Sequence, residues 1–278
     1  MRCPYCRHRI QAIGVTLWRC LRCDLIGNAD TKPPSFLLDH YRRLYYARNG
    51  GDQTAWGRSD LYAKLADWLQ RLRPMGTLLD VGAGFGVFAD TVRQRGWHVT
   101  ALEPSDKAVD IARKKFKLDV VSGTLRDLPG LGPFDVVTFI NVIDHTAAPW
   151  EDVNAACNLI KPGGLLFMRF PNGWLHAHLL KMACRLNLSG WVRPYLVFHA
   201  YSLTPAFMRR LLADQGFVDI RIANSPLTRG DPYGSFRLPW LAGLVKGAAE
   251  TSARAVWGIS NGRLCCGPSL IVTAFAPK

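Results

Sequence analysis

The chain has 278 residues and a formal net charge of +14, enough for one sizeable domain with a small satellite. With 49% apolar and 20% charged residues, it has the balance of a globular protein, not of a disordered or fibrous one. No apolar run reaches the roughly 18 uncharged residues of a membrane-spanning helix, and Met1-Arg2-Cys3 opens straight into a cysteine cluster without a secretion-type segment. The expected setting is the cytoplasm, with peripheral contact at the inner face of the membrane as a further expectation.

Four of the eight cysteines form Cys3-x-x-Cys6 and Cys20-x-x-Cys23, separated by thirteen residues. A CxxC knuckle puts two thiolates on one tight turn, and two facing knuckles complete a tetrahedron for zinc. Disulfides are the poorer reading in a chain without a secretion segment. Four thiolates close the coordination sphere, so the zinc is structural. His8 reads as a surface residue, and Cys157, Cys184, Cys265 and Cys266 show no ligand spacing. The boundaries read from the chain are a zinc ribbon over 1–32, an aromatic and basic helical arm over 33–60, and a catalytic domain over 61–278. In the arm, Tyr45 and Tyr46 are candidates for cofactor contact or for plain packing.

Leu78-Leu79-Asp80-Val81-Gly82-Ala83-Gly84-Phe85-Gly86 is an apolar run ending in an acid and three alternating glycines. It predicts a buried strand turning sharply into a helix, with backbone bare enough for a ligand to lie against. Residues 97–102 form the next strand, with Glu103 at its carboxyl end, where an acid can accept ribose hydroxyls. Pro104 and Ser105 open a helix. A strand over 133–140 leads into Asn141-Val142-Ile143-Asp144-His145, and Lys161-Pro162-Gly163-Gly164 turns into another strand.

These motifs, in this order over about residues 75–172, resemble the class I S-adenosylmethionine-dependent methyltransferases. The resemblance implies an α/β, Rossmann-like seven-stranded sheet whose last strand is antiparallel. It implies S-adenosylmethionine as cofactor, held by Asp80, Gly82, Ala83, Gly84, Gly86, Glu103, Pro104 and Asn141. A four-cysteine ribbon and a Tyr-rich arm ahead of this domain look like bacterial zinc-ribbon methyltransferases acting on small molecules, sugars, and surface-polysaccharide or lipid-linked precursors.

Further along, Thr204-Pro205 to Gly216 has the cap, first-turn proline, apolar stripe and terminal glycine of a helix. Strands follow over 217–222 and 270–275, and His199-Ala200-Tyr201-Ser202-Leu203-Thr204-Pro205 looks like the family's lead-in to its last helix. Segments 174–198 and 236–259 mix Trp174, Trp191, Trp240 and Trp257 with leucines and isolated cations, as a lid or an interfacial helix does.

Methyl transfer from a sulfonium is an in-line displacement, governed by positioning. A hydroxyl acceptor also needs a base tuned near neutrality, and His145 and His199 are the candidates, with Asp144 bracing the loop. The acceptor expected is a small or lipid-linked molecule. The alternative is an RNA base methyltransferase whose zinc module contacts RNA, a reading disfavoured because the basic residues are scattered with no stacking module. A non-enzymatic module is disfavoured by the complete set of cofactor motifs.

Overall fold

The computed structural model describes residues 1–13, 16–30, 36, 39–44, 57–126, 130–227, 251–253, 255–260 and 264–278. Tyr45, Tyr46, Trp240 and most of the expected arm lie outside these residues, as does the part of the second amphipathic segment over 236–250.

Helix α1 (Ser59–Leu72) buries Leu61, Tyr62, Leu65, Ala66 and Leu69, a stripe at helical spacing. The expected boundary at residue 60 falls inside this helix. Strand β4 (Thr77–Val81), helix α2 (Val87–Arg93), β5 (His98–Glu103), α3 (Asp106–Phe116) and β6 (Asp119–Ser122) alternate. After them come β7 (Phe134–Ile140), α4 (Pro149–Cys157) and the long β8 (Ile160–Pro171). Helices α5 (Gly173–Arg185) and α6 (Ser189–Val192) fill the first amphipathic segment, ahead of α7 (Pro205–Asp214). Strands β10 (Val218–Asn224) and β11 (Ser269–Phe275) end the order.

The seven strands run β10-β11-β8-β7-β4-β5-β6. Pairing is parallel from β6 through β8, and β11 inserts antiparallel between β8 and β10. Strands buried on both faces need continuous apolar runs, and Val136, Val137, Phe139, Leu165, Leu166, Phe167 and Met168 are all fully buried. The strand order reverses between β4 and β7, and ligands in such sheets bind at that switch, beyond the carboxyl ends of the strands.

The ribbon forms its own small sheet from β1 (Ile10–Ala12), β2 (Leu17–Cys20) and β3 (Ile26–Asn28). A two-residue strand, β9 (Tyr201–Ser202), completes it from the catalytic side, in the order β1-β2-β3-β9. The ribbon is therefore not a detachable satellite. Cys3, Cys20, Cys23 and Leu25 share one continuous core with Phe207, Leu211 and Leu212. Tyr5 packs edge-on against Phe207 at 5.3 Å and donates its hydroxyl to Asp214 Oδ2 at 2.5 Å. Sequence periodicity could not show this, because two residues carry no period.

Candidate active site and candidate metal centre

The expected metal ligands converge. The Sγ atoms of Cys3, Cys6, Cys20 and Cys23 all lie within 4.8 Å of one another. Cys3 and Cys23 are 3.6 Å apart, and Cys6 and Cys20 3.4 Å. A tetrahedron with Zn–S bonds of about 2.3 Å has edges of about 3.8 Å, close to these separations, whereas a disulfide needs about 2 Å. The backbone N–H groups of Arg22 and Cys23 donate to Cys20 Sγ. Burial raises the Cys20 thiol, but the N–H donors outweigh it and bring its pKa down to about 7. The donor set fits a structural zinc. His8 is exposed and is not among the converging groups.

The glycine loop follows β4 as expected. Gly82, Gly84 and Gly86 all have positive φ, at +68°, +57° and +79°, a conformation that costs a side-chain-bearing residue about 1–2 kcal/mol. At Gly82 the lack of a side chain matters twice, because a Cβ there would lie 2.6 Å from both methyls of Val142. The turn is fastened by N–H bonds from Gly82 and Ala83 to Leu102 O, at 2.7 and 3.1 Å.

Two acids face this loop. Asp80 is buried and accepts from Thr138 Oγ1 at 2.7 Å. Burial raises its pKa to about 7, Thr138 opposes the rise, and the charge of Glu103 adds to it. Glu103 is equally buried and also lies near 7, lifted by burial against the pull of its backbone donors. Its Oε2 accepts Gly84 N–H at 2.8 Å and its Oε1 accepts Ser105 N–H at 3.0 Å. Glu103 thus braces the glycine loop, a task beyond the ribose role read from the sequence. Each oxygen keeps a second lone pair for a ligand, and Pro104 follows half-buried.

Asn141 ends β7 in the left-handed region, φ +58°. Its N–H donates to Arg169 O at 2.7 Å, its Oδ1 accepts from Arg169 Nη1, and its buried Nδ2 has no hydrogen-bond partner. Buried donors rarely go unmet, so this amide suits a bound acceptor atom. Together with the bare glycine cradle and two acids poised for a cationic ligand, it fits S-adenosylmethionine.

Beyond Asn141, a short turn over Ile143–His145 brings Asp144 and both candidate histidines together. Asp144 Oδ2 lies 3.3 Å from His199 Nε2 and 3.9 Å from His145 Nε2. The imidazole centroids are 3.8 Å apart. Burial and the neighbouring His199 push His145 down to about 4, against the pull of Asp144, so His145 is neutral at ordinary pH. Val142, against Gly82, ties this turn to the glycine cradle.

Two functional candidates escape the sequence reading. Arg169 is buried in β8 and bonds Ser225 Oγ at 2.8 Å as well as Asn141. A cation inside Leu165-Leu166-Phe167-Met168-Arg169-Phe170 is the signal that could have found it. Tyr62 on α1 is buried, and burial raises its phenol above its ordinary range in the neighbourhood of Arg58, Arg169 and Asp80.

The fold and the site define a class I S-adenosylmethionine-dependent methyltransferase. Residues 57–222 match the family described as a methyltransferase domain, and the chain belongs to that family. It is 32% identical over 162 residues to a ubiquinone biosynthesis O-methyltransferase of Caulobacter vibrioides, covering 55% of this chain and 64% of that protein. The corresponding protein of Aromatoleum aromaticum is 30% identical over 122 residues, covering 41% and 52%. The chain thus spans less than two-thirds of the length of these curated relatives. Among solved structures, the magnesium protoporphyrin IX methyltransferase of Synechocystis with bound S-adenosylhomocysteine is 17% identical, with a TM-score of 0.56 over 87% of this chain and 98% of that one. A plantazolicin methyltransferase, also with S-adenosylhomocysteine, is 15% identical, with a TM-score of 0.56 over 87% and 94%.

Proposed function

We propose that this chain O-methylates a hydroxyl group of a small-molecule or lipid-linked acceptor. The observation that carries the reading is the Asp144–His199 pair, 3.3 Å apart, in which Asp144 sits on a turn next to Val142, the residue that touches the cofactor cradle, and His199 arrives from the segment ahead of β9. S-adenosylmethionine, when bound, supplies the electrophilic methyl group. His199 takes the acceptor's hydroxyl proton, and Asp144 orients its ring and stabilises the imidazolium that forms. His145, neutral at ordinary pH, lies against His199 with its ring tilted by 46°. Asn141 Nδ2 and the Arg169 behind it fix the acceptor or the cofactor's polar end. Similarity to O-methyltransferases of ubiquinone biosynthesis supports oxygen as the accepting atom and weighs against an RNA base.

The experiment is transfer of labelled methyl from S-adenosylmethionine to a panel of phenols, catechols, sugars and polyprenyl-linked analogues, with cellular RNA in parallel. Label on a hydroxyl-bearing small molecule, lost in His199→Ala, is the expected result. Label on RNA alone would overturn the reading.

A further inference from the structure

Charge is distributed unevenly in this chain. Residues 1–23 hold five arginines and no acid, and between Asp152 and Asp214 there are seven Lys or Arg and no acid. The fold brings these two acid-free stretches together. A cleft of about 620 Å³ lies between the ribbon and α5, lined by Arg19, Arg22, Lys181 and Arg185. The one acid on its wall, Asp24, is paired with Arg19. Arg22, Lys181 and Arg185 form no ion pair among the described residues.

Beside this cationic cleft the outer surface of α5 turns apolar. Leu179, Met182 and Leu186 recur at helical spacing and are 41%, 57% and 63% exposed. Just beyond, Trp191 of α6 is 80% exposed. The inner face of α5 is packed: Ala177, Leu180 and Ala183 are buried, and His176 Nε2 contacts Pro268 O at 3.1 Å. Helical geometry of 100° per residue sets Lys181 and Arg185 on one flank of the outward half, with the aliphatic row on the other. An outward half that is part cationic and part aliphatic, with an indole at its end, matches helices that lie in a membrane interface.

We infer that α5, α6 and the adjoining ribbon edge dock this protein on an anionic bilayer, with the Arg22–Lys181–Arg185 cleft receiving lipid phosphate. Aliphatic side chains enter the acyl boundary while the cations neutralise headgroups, each worth about a factor of five in binding. Nucleic acid would meet the same cations, but the row beside them is aliphatic (Leu179, Met182 and Leu186), and Trp191 is a lone indole at its end where single-strand binding uses successive aromatic rings. The docking helix leaves β8 two residues past the strand's end at Pro171, so the face is continuous with the acceptor side. The inference stands whatever the acceptor proves to be.

The test uses the zinc-loaded full chain and phosphatidylcholine vesicles with and without phosphatidylglycerol, in sedimentation across a salt series. Binding is expected only with phosphatidylglycerol and is expected to weaken with salt. Lys181→Gln with Arg185→Gln should lower it about twenty-five-fold, fivefold per removed charge, and Trp191→Ser should lower it independently. Melting temperature and S-adenosylmethionine affinity should stay unchanged in these variants, since the altered side chains lie on the outer surface. Equal binding to neutral vesicles, or variants that bind like the parent, would overturn the inference. So would displacement from vesicles by cellular RNA or by inorganic phosphate, which would reassign the cleft to nucleic acid or to a free anion.

Discussion

Ile26 of the ribbon pairs with Ser202 of the catalytic domain, three residues after His199. Around this register Asn28 N–H donates to Ala200 O at 3.1 Å, and Thr204 Oγ1 donates to Asp24 O at 3.1 Å. The backbone that carries the proposed base is therefore held by the ribbon, whose own geometry depends on four cysteines.

Metal removal should act on catalysis through this pairing. One zinc per chain is expected, lost in Cys20→Ser. Because Cys3, Cys20 and Cys23 share a core with Phe207 and Leu211, the variant should melt lower, by a few kcal/mol of lost packing. Methyl transfer should fall at least about tenfold, as a misplaced base predicts. Metal analysis, calorimetry and amide exchange at residues 200–204 check this. Full exchange protection there without zinc would contradict it.

Cofactor affinity should rise with pH. Burial holds Asp80 and Glu103 near 7, so at pH 6 both are largely protonated, while a cationic ligand binds best to the ionised pair. Calorimetry with S-adenosylmethionine should show a gain of about tenfold between pH 6 and 8. The sign for the ligand-free protein is opposite. A carboxyl raised above its unfolded value contributes stability below about pH 4 that is lost as pH rises through about 7. Asp80→Asn should therefore melt higher than the parent at pH 8 without ligand, yet bind cofactor more weakly.

The two histidines should separate in kinetics. His199→Gln is expected to lower kcat by about 10²–10⁴, the range for a lost general base, and to remove the acid limb of the rate profile. His145→Phe keeps a ring against His199 and removes a group already neutral, so kcat should stay within about fivefold. Equal losses from both would assign the proton to His145 as well.

Gly82→Ala should damage fold and site together. The residue has φ +68°, and its Cβ would meet Val142 at 2.6 Å, for a cost of roughly 1–3 kcal/mol. Denaturant melts and cofactor titration check this. Pairing it with Val142→Ala should recover part of the stability, since only the contact and not the φ is relieved.

Much of this was legible in the sequence because its signals are local. The glycine turn, the strand ending in Glu103, the capped helix after Thr204 and the four cysteines each declare themselves within a few residues. Asp144 and His145 were legible just past the strand over 133–140 and His199 in the lead-in to the last helix, but their contact was not, since it spans more than fifty positions. The bonds from Glu103 back to Gly84 and the Asn141–Arg169 pair were hidden for the same reason: hydrogen bonding across strands leaves no periodic trace. The strand at Tyr201–Ser202 was invisible because it borrows its sheet from the ribbon.

Asn172 has a mechanical meaning. At the first bend after β8 its Oδ1 caps α5 through Leu175 N–H at 3.3 Å, while its Nδ2 holds Cys265 O and Gly267 O, each at 2.9 Å. One fully buried amide thus rivets the root of the outward helix to the chain entering β11, in the interior of the seven-stranded sheet. The same root also donates Gly173 N–H to Leu203 O at 3.0 Å, four residues from His199, so a sideways pull on α5 is shared between that stiff plate and the backbone that carries the proposed base.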